Sequence, residues 1–192
     1  MIISIGGTHG SGKSTIAKML AKKLNWPHYY MGGLRRETAK KKGLTLAEYN
    51  KLGENDPTTD LEVDNYQKQL GQTQDNFIIE GRTSWHFIPQ SFKIYLDVNE
   101  NIGAERVFSH LKNDKNNNRN EDVNLNSIEA VKESMAKRLE SDKKRYKKYF
   151  GIDVYDKNNY DYYLDTSCFD IQEVFDQVLK AVYKQLNNID KK

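Results

Sequence analysis

The chain has 192 residues, with 30 Lys and Arg against 27 Asp and Glu, which gives a net charge of +3. This length fits one compact domain better than two independent folds, and the near balance of charge argues against nucleic acid or an anionic membrane as a partner. The single cysteine, Cys168, excludes an internal disulfide framework and fits a reducing compartment.

The N-terminal segment predicts a buried strand that leads through a glycine-rich loop into a helix. Residues 1–5 are apolar and mostly β-branched, and Gly6 and Gly7 follow them. From Ser14 apolar residues recur at helical spacing until residues 25–27 interrupt them. The first apolar run is too short for a signal sequence or a membrane span, so we expect a cytoplasmic protein with no membrane partner.

Helical segments are predicted between residues 31 and 72. The first covers about 34–43, and a second begins where Thr45 precedes Glu48 by three residues, the spacing of a capping box. A third runs over about 59–70. Together these segments predict a helical insertion between strands.

Later apolar runs predict further strands at 77–80, 94–98 and 162–165, and an amphipathic helix at 171–186. Strands that alternate with helices indicate a three-layer α/β fold with a parallel sheet. Ligands of such folds bind beyond the carboxyl ends of the strands.

Residues 109–126 are rich in Asn, Asp and Lys, which predicts a loop outside the core. Composition alone leaves open whether this loop is a lid or a surface insertion without a role. We predict one domain with a core of 1–30, 73–108 and 127–192, an insertion of 31–72 and a lid of 109–126.

The glycine-rich loop matches the phosphate-binding pattern G-x-x-x-x-G-K-[ST] in its strand–loop–helix context. Its backbone N–H groups and the helix N-terminus favour a bound β-phosphate. Lys13 is expected to reach the β- and γ-phosphates and Ser14 to ligate Mg²⁺, whereas His9 is interpreted as exposing its backbone rather than as a catalyst. The predicted ATP-binding residues of the loop are Gly7, Thr8, His9, Gly10, Ser11, Gly12, Lys13, Ser14 and Thr15.

Other proteins with such a loop fit the sequence less well than a small kinase does. A GTP switch needs an N-K-x-D motif, and the nearest string, residues 50–53, lacks the acid. Glu80 at the end of a predicted strand could serve a motor ATPase, but the chain is short for such machinery.

The charged residues of the chain bear on which kind of group accepts the transferred phosphate, a hydroxyl or another phosphate. A hydroxyl acceptor would need a carboxylate base, but a phosphate acceptor is already largely ionised, since its second pKa is about 6. Two approaching polyanions need arginines instead. The candidates, each of which could also be a solvated charge, are Arg36, Arg82, Arg106, Arg138 and Arg145.

One predicted helix carries a carboxylate where its apolar stripe requires another apolar residue. This residue, Asp142, shares a helical face with Arg138 and Arg145 at spacings of four and three. The face fits either intrahelical salt bridges or a site that binds phosphate through the arginines and a ligand hydroxyl or amine through Asp142.

An ordered series of short segments resembles the cytidylate kinases, most closely the compact archaeal type, over nearly the whole chain. The phosphate loop alone is not specific to that family, but the series is. The segments are residues 3–14, 36–40 with Gly43, 80–82, 104–106, 140–142, 144–146, Tyr149, 151–153 and 165–167.

This resemblance implies a nucleoside monophosphate kinase fold with a five-stranded parallel sheet. It implies that ATP and Mg²⁺ are used to phosphorylate CMP or dCMP, and we expect a monomer. The roles implied are catalysis for Lys13, Arg138 and Arg145, ATP binding for Arg106, and binding of the acceptor for Arg36, Asp64, Arg82, Asp142 and Arg145, with Asp142 on its nucleoside.

The sequence departs from the family at two places. Residues 83–86 replace the small residues and glycine that usually follow, which bears on base preference, and the predicted lid is longer and rich in asparagine. Rival hypotheses are an adenylate-type or small-molecule kinase, and a non-catalytic ATP-binding module that is regulatory or associated with RNA.

Overall fold

The computed structural model describes residues 1–113 and 125–189, and within these ranges the chain forms a five-stranded, all-parallel sheet in the order β2-β3-β1-β4-β5. This arrangement confirms the predicted fold class. The strands are β1 (Ile3–Gly7), β2 (His28–Tyr30), β3 (Ile78–Glu80), β4 (Phe92–Asp97) and β5 (Tyr162–Asp165).

Helices connect the strands, and three of them lie between β2 and β3. None of the helices in the described part of the chain is long and apolar enough to span a membrane. The helices are α1 (Lys13–Leu24), α2 (Met31–Lys41), α3 (Leu46–Gly53), α4 (Thr58–Thr73), α5 (Ser84–Phe87), α6 (Glu100–Asn113), α7 (Ile128–Phe150) and α8 (Ile171–Ile189).

The hydrophobic core lies on both faces of the sheet because successive side chains of a strand point to opposite sides. Ile3 and Ile5 of β1 pack in one buried cluster with residues of α1 and α8. Ile2 and Ile79 belong to a second cluster that includes Val63 of α4. This two-sided burial fixes the phosphate loop at the carboxyl end of the central strand.

Several element boundaries differ from those predicted. The edge strand β2 was missed because it has only three residues and no fully buried side chain. Strand β1 extends to Gly7, whose backbone pairs with Leu96 of β4. The predicted loop at 109–126 begins as helix, since α6 continues to Asn113. Residues 114–124 of the predicted lid lie outside the described part of the chain.

Close packing of the phosphate loop on α6 predicts a large effect of adding one methyl group. Gly10 has a φ of +76°, and a Cβ built on it would lie 2.3 Å from the backbone oxygen of Gly103. We expect Gly10→Ala to lower the free energy of unfolding by about 2–4 kcal/mol, through left-handed strain and this overlap. Urea denaturation measures the change.

The matched control is Gly12→Ala. Gly12 also has a positive φ, +84°, but nothing lies within 4 Å of the position its Cβ would take. Gly12→Ala should therefore show the backbone strain alone. Equal losses of stability in the two variants would contradict the overlap at Gly10.

Candidate active site

The phosphate loop between β1 and α1 makes hydrogen bonds within itself and to the end of β4. The Thr8 hydroxyl donates to Asp97 Oδ1 at 2.9 Å, and the Ser11 hydroxyl donates to the Thr8 backbone oxygen at 2.9 Å. The Lys13 ammonium donates to the same Thr8 oxygen and lies 3.3 Å from Ser11 Oγ. Helix α1 begins after Gly12 without a side-chain cap, so its first N–H groups suit an anionic ligand.

Oxygen atoms suited to a hard cation meet beside this loop. The Ser14 hydroxyl donates to Glu80 Oε1 at 2.6 Å. The other carboxylate oxygen of Glu80 is buried and lies 3.7 Å from His28 Nε2, and it has no hydrogen-bond partner in the part of the chain that the structure describes. Mg²⁺ takes oxygen ligands and keeps several waters or phosphate oxygens, so Ser14 and Glu80 fit such an ion.

Asp142, which interrupts the apolar stripe of α7, lies at the centre of a buried cluster of charges. Its Oδ1 accepts from Arg145 Nη2 at 2.6 Å, and its Oδ2 lies 2.6 Å from Arg82 Nε. The Tyr155 hydroxyl accepts from Arg82 Nε at 3.0 Å and donates to Asp142 Oδ2 at 2.9 Å. Burial alone would raise the pKa of the carboxyl, but the two arginines outweigh burial and lower it to about 2.

Arg145 joins this cluster to the helical insertion. Its Nη1 donates to both oxygens of Asp60 on α4, at 3.1 and 2.9 Å, and the side chain is only 1% exposed. Asp60 also accepts from Arg35 of α2. Burial alone would lower the pKa of the Arg145 guanidinium, but Tyr146, Asp142 and Asp60 raise it. The insertion is therefore tied to α7 through a buried carboxylate.

Arg82 joins the same cluster to the phosphate loop. Its Nη2 contacts His9 Nε2, and since an arginine can only donate, this nitrogen of His9 carries no proton. Burial, and then the charges of Arg82, Arg138 and Lys13, hold the pKa of His9 well below its usual range. His9 is thus a neutral acceptor, and the loop and the arginine cluster are in direct contact.

Two further arginines that the sequence singled out also lie near the cluster. Arg36 of α2 is buried and donates to the Tyr30 hydroxyl and to the Gly32 backbone oxygen. Arg138 is half-buried, and its charge lowers the pKa values of both His9 and Asp142. The charges of Arg82, Arg138 and Arg36 all lower the pKa of His9, so the three arginines act on one region.

Arg106 lies on the other side of the phosphate loop. Its guanidinium donates to the Thr166 hydroxyl at 3.0 Å and to the Thr166 backbone oxygen at 2.9 Å. The Thr166 hydroxyl in turn lies 3.4 Å from the Ser11 backbone oxygen. Arg106 therefore borders the loop through the residue after β5.

Sequence reasoning missed three members of the cluster, namely Arg35, Asp60 and Tyr155. A signal for Asp60 was present on α4, where the polar residues Asp60, Asp64 and Gln67 are buried at spacings of four and three. The apolar residues Leu61 and Tyr66 of the same helix are exposed, at 49% and 37%. A helix with its polar face inward indicates a polar site beneath it.

Comparison with known proteins shows what the chain is similar to. The model of the AAA domain family matches residues 3–126. Solved structures share the fold alone: a protein of uncharacterized function from Eubacterium ventriosum (TM-score 0.68, 19% identity, 95% of this chain and 98% of that one) and shikimate kinase from Bacteroides thetaiotaomicron (TM-score 0.61, 16% identity, 96% and 98%).

Curated relatives are similar over nearly their whole length. Cytidylate kinases of Methanocella arvoryzae and Methanocaldococcus jannaschii are each 36% identical to this chain, with 95% of this chain and 97% of each relative covered. That of Methanosphaera stadtmanae is 31% identical, with 95% and 98% covered. With its phosphate loop joined to a cluster of buried arginines, the chain belongs to the cytidylate kinase family of P-loop kinases.

Proposed function

We propose that this protein is a nucleoside monophosphate kinase that transfers the γ-phosphate of ATP to CMP or dCMP. The observation that carries the proposal is the contact between Arg82 and His9, which joins a triphosphate-binding loop to a buried cluster of arginines. A kinase with an anionic acceptor requires this juxtaposition, since both polyanions must be neutralised at the same place.

The donor half of the proposed site is the phosphate loop. Its backbone surrounds the β-phosphate, Lys13 reaches the β- and γ-phosphates, and Arg106 binds ATP from the side of Thr166. Mg²⁺ bound at Ser14, with Glu80 nearby, would neutralise charge on the β- and γ-phosphate oxygens. Apart from Mg²⁺, all groups that are proposed to bind ATP are residues of this chain.

The acceptor half is the arginine cluster. Arg36, Arg82 and Arg138 bind the acceptor phosphate and the phosphoryl group in transfer. The Nη atoms of Arg145 are occupied by Asp60 and Asp142, whereas its buried Nε has no hydrogen-bond partner within residues 1–113 and 125–189 and is proposed to bind a phosphate oxygen.

Asp142 is proposed to hold a nucleoside hydroxyl while it fixes the arginines. A carboxylate offers about four acceptor positions, and Arg145, Arg82 and Tyr155 occupy three. One position on Oδ1 remains for the ligand. The acceptor phosphate is already ionised at neutral pH, so no side chain has to remove a proton from it.

The insertion at 31–72 is proposed to close over the acceptor. Its helices α2 and α4 carry Arg36 and Asp60, so movement of the insertion would move the partner of Arg145 as well. Closure around both substrates excludes water and prevents wasteful hydrolysis of ATP.

The proposed function is tested by measuring ADP release with CMP, dCMP, UMP, AMP and shikimate as acceptors. We expect CMP or dCMP to give the highest kcat/KM. A preference for AMP or shikimate would contradict the acceptor assignment. ATP binding without turnover on any acceptor would favour a non-catalytic module instead.

A further inference from the structure

The imidazole of His9 contacts Arg82, although the phosphate loop does not need this side chain for its own shape. The positive φ values of the loop fall on Gly7, Gly10 and Gly12, so His9 has an ordinary backbone conformation. In the part of the chain that the structure describes, the only hydrogen bond of its ring joins Nε2 to Arg82 Nη2. A side chain that the loop does not require, with one contact across to the arginine cluster, indicates a role toward Arg82.

Arg82 is fixed at two of its nitrogen atoms. Its Nε lies 2.6 Å from Asp142 Oδ2 and donates to the Tyr155 hydroxyl at 3.0 Å. These contacts hold one corner of the planar guanidinium, and the contact of Nη2 with His9 fixes a second corner and with it the direction of the plane. An arginine has five N–H donors, and these contacts use two of them. None of the described residues accepts from the other three, so they remain for a ligand.

The contact requires a neutral His9. Because Arg82 can only donate, Nε2 must accept, and the single ring proton of a neutral imidazole is then on Nδ1. Four cationic side chains from four segments act on the ring: Arg82 after β3, Arg138 of α7, Lys13 of α1 and Arg36 of α2. Burial, and then these charges in that order, hold the pKa of His9 well below its usual range. A second proton would abolish the acceptor and add a positive charge beside the other four.

We propose that His9 is a positioning residue whose unprotonated Nε2 directs the Arg82 guanidinium toward the phosphoryl group in transfer. The inference rests on the proposed function, in which Arg82 binds the acceptor phosphate and that phosphoryl group, and it adds a side chain of the phosphate loop to the machinery. The three remaining N–H groups of Arg82 bind phosphate oxygens in the orientation that His9 sets. His9 therefore contributes to the transition state rather than to the binding of ATP.

The first test compares His9→Leu with His9→Gln. Leucine is similar in size but offers no acceptor, whereas the side-chain oxygen of glutamine can accept from Arg82. We expect kcat of His9→Leu to fall by about 10- to 100-fold, the cost of a misplaced group at a reacting centre. The KM for ATP should change by less than about threefold, since the loop backbone holds the nucleotide. His9→Gln should recover most of the lost kcat, which separates a lost acceptor from a disturbed loop.

A double-mutant cycle with Arg82→Ala shows whether His9 acts through Arg82. If it does, adding His9→Leu to Arg82→Ala should lower kcat by less than about twofold further, because the group that His9 directs is already absent. The same loss from His9→Leu with and without Arg82 would mean that the two residues act independently, and would overturn the proposal.

A second test uses the protein without substrates. In an unfolded chain the pKa of a histidine is about 6.5, and burial among the four cations lowers that of His9 in the folded state. The unfolded chain therefore binds an additional proton below this pH, and stability is lost as the pH falls. In urea denaturation between about pH 8 and pH 5, the unfolding equilibrium constant of wild type should rise relative to that of His9→Gln, by up to about tenfold per pH unit below about 6.5.

Three further results would overturn the proposal: full kcat in His9→Leu, equal losses of kcat in His9→Leu and His9→Gln, or a stability difference between wild type and His9→Gln that does not change with pH. The pH test needs only His9→Gln, so it decides the proposal even if His9→Leu does not fold. Failure of wild type to phosphorylate any nucleoside monophosphate would instead refute the proposed function, while the pH test would still report on the contact of His9 with Arg82.

Discussion

Replacing Asp142 by asparagine is expected to lower the free energy of unfolding by about 3–5 kcal/mol at pH 7, the range for breaking a buried ion pair from one side. The carboxylate faces both Arg82 and Arg145, and Arg145 is 1% exposed. Removing the negative charge leaves these guanidinium groups less compensated in a buried site. Urea denaturation measures the loss, and kcat should fall with it because the arginines lose their fixed positions.

The effect of this substitution should depend on pH in a defined direction. The pKa of Asp142 is lowered from 3.8 to about 2 in the folded state. A lowered pKa means that the stabilisation is complete above the unfolded value and is lost as pH falls through the folded one. The difference between wild type and Asp142→Asn should therefore shrink between about pH 4 and pH 2.

The control for this prediction is Glu140→Gln, which removes an exposed carboxylate from the same helix. It should change stability by less than about 0.5 kcal/mol at any pH. If Asp142→Asn were as stable as the wild type at pH 7, the interpretation of Asp142 as the centre of the cluster would be contradicted.

The second large effect is expected from Lys13→Ala, which should reduce kcat by about 10²- to 10³-fold with little change in stability. The ammonium lies over the loop, bonded to the Thr8 backbone oxygen and beside Ser11 Oγ, where a β- or γ-phosphate oxygen would be placed. Steady-state kinetics at saturating ATP and CMP measure the loss.

Lys18→Ala is the matched control, since it removes the same charge from an exposed position on α1. It should leave kcat unchanged. Full phosphoryl transfer by Lys13→Ala would refute the assignment of the glycine-rich loop as the donor site.

Local patterns in the sequence were sufficient to predict the phosphate loop and most strands of the sheet. The loop pattern and its strand–loop–helix context involve neighbouring residues only, so they are readable without tertiary contacts. The capping box at Thr45 was confirmed for the same reason, with its two reciprocal hydrogen bonds to Glu48 present. Strand β2 could not be found because its three residues pair with β3 and are not fully buried.

The interrupted apolar stripe of α7 predicted that Asp142 is buried for a reason, and the structure confirms that it is buried. The stripe left open whether the reason was a salt bridge within the helix or a ligand-binding site. Both contributions are present, since Arg145 is three residues away while Arg82 and Tyr155 come from distant segments. Partners at such separations leave no periodic trace in a single sequence.

The sequence alone determined the phosphate-loop pattern and the arginines that are proposed for the acceptor, because spacing along one strand, loop or helix decides which side chains share a face. Only the tertiary structure decided how they are joined. Asp60 became the partner of Arg145 because α4 packs its polar face inward, and Arg82 met His9 because β1 and β3 end side by side. In this protein, burial forced charges from separate elements to pair within the cluster, and the contact of Arg82 with the neutral His9 links that cluster to the loop.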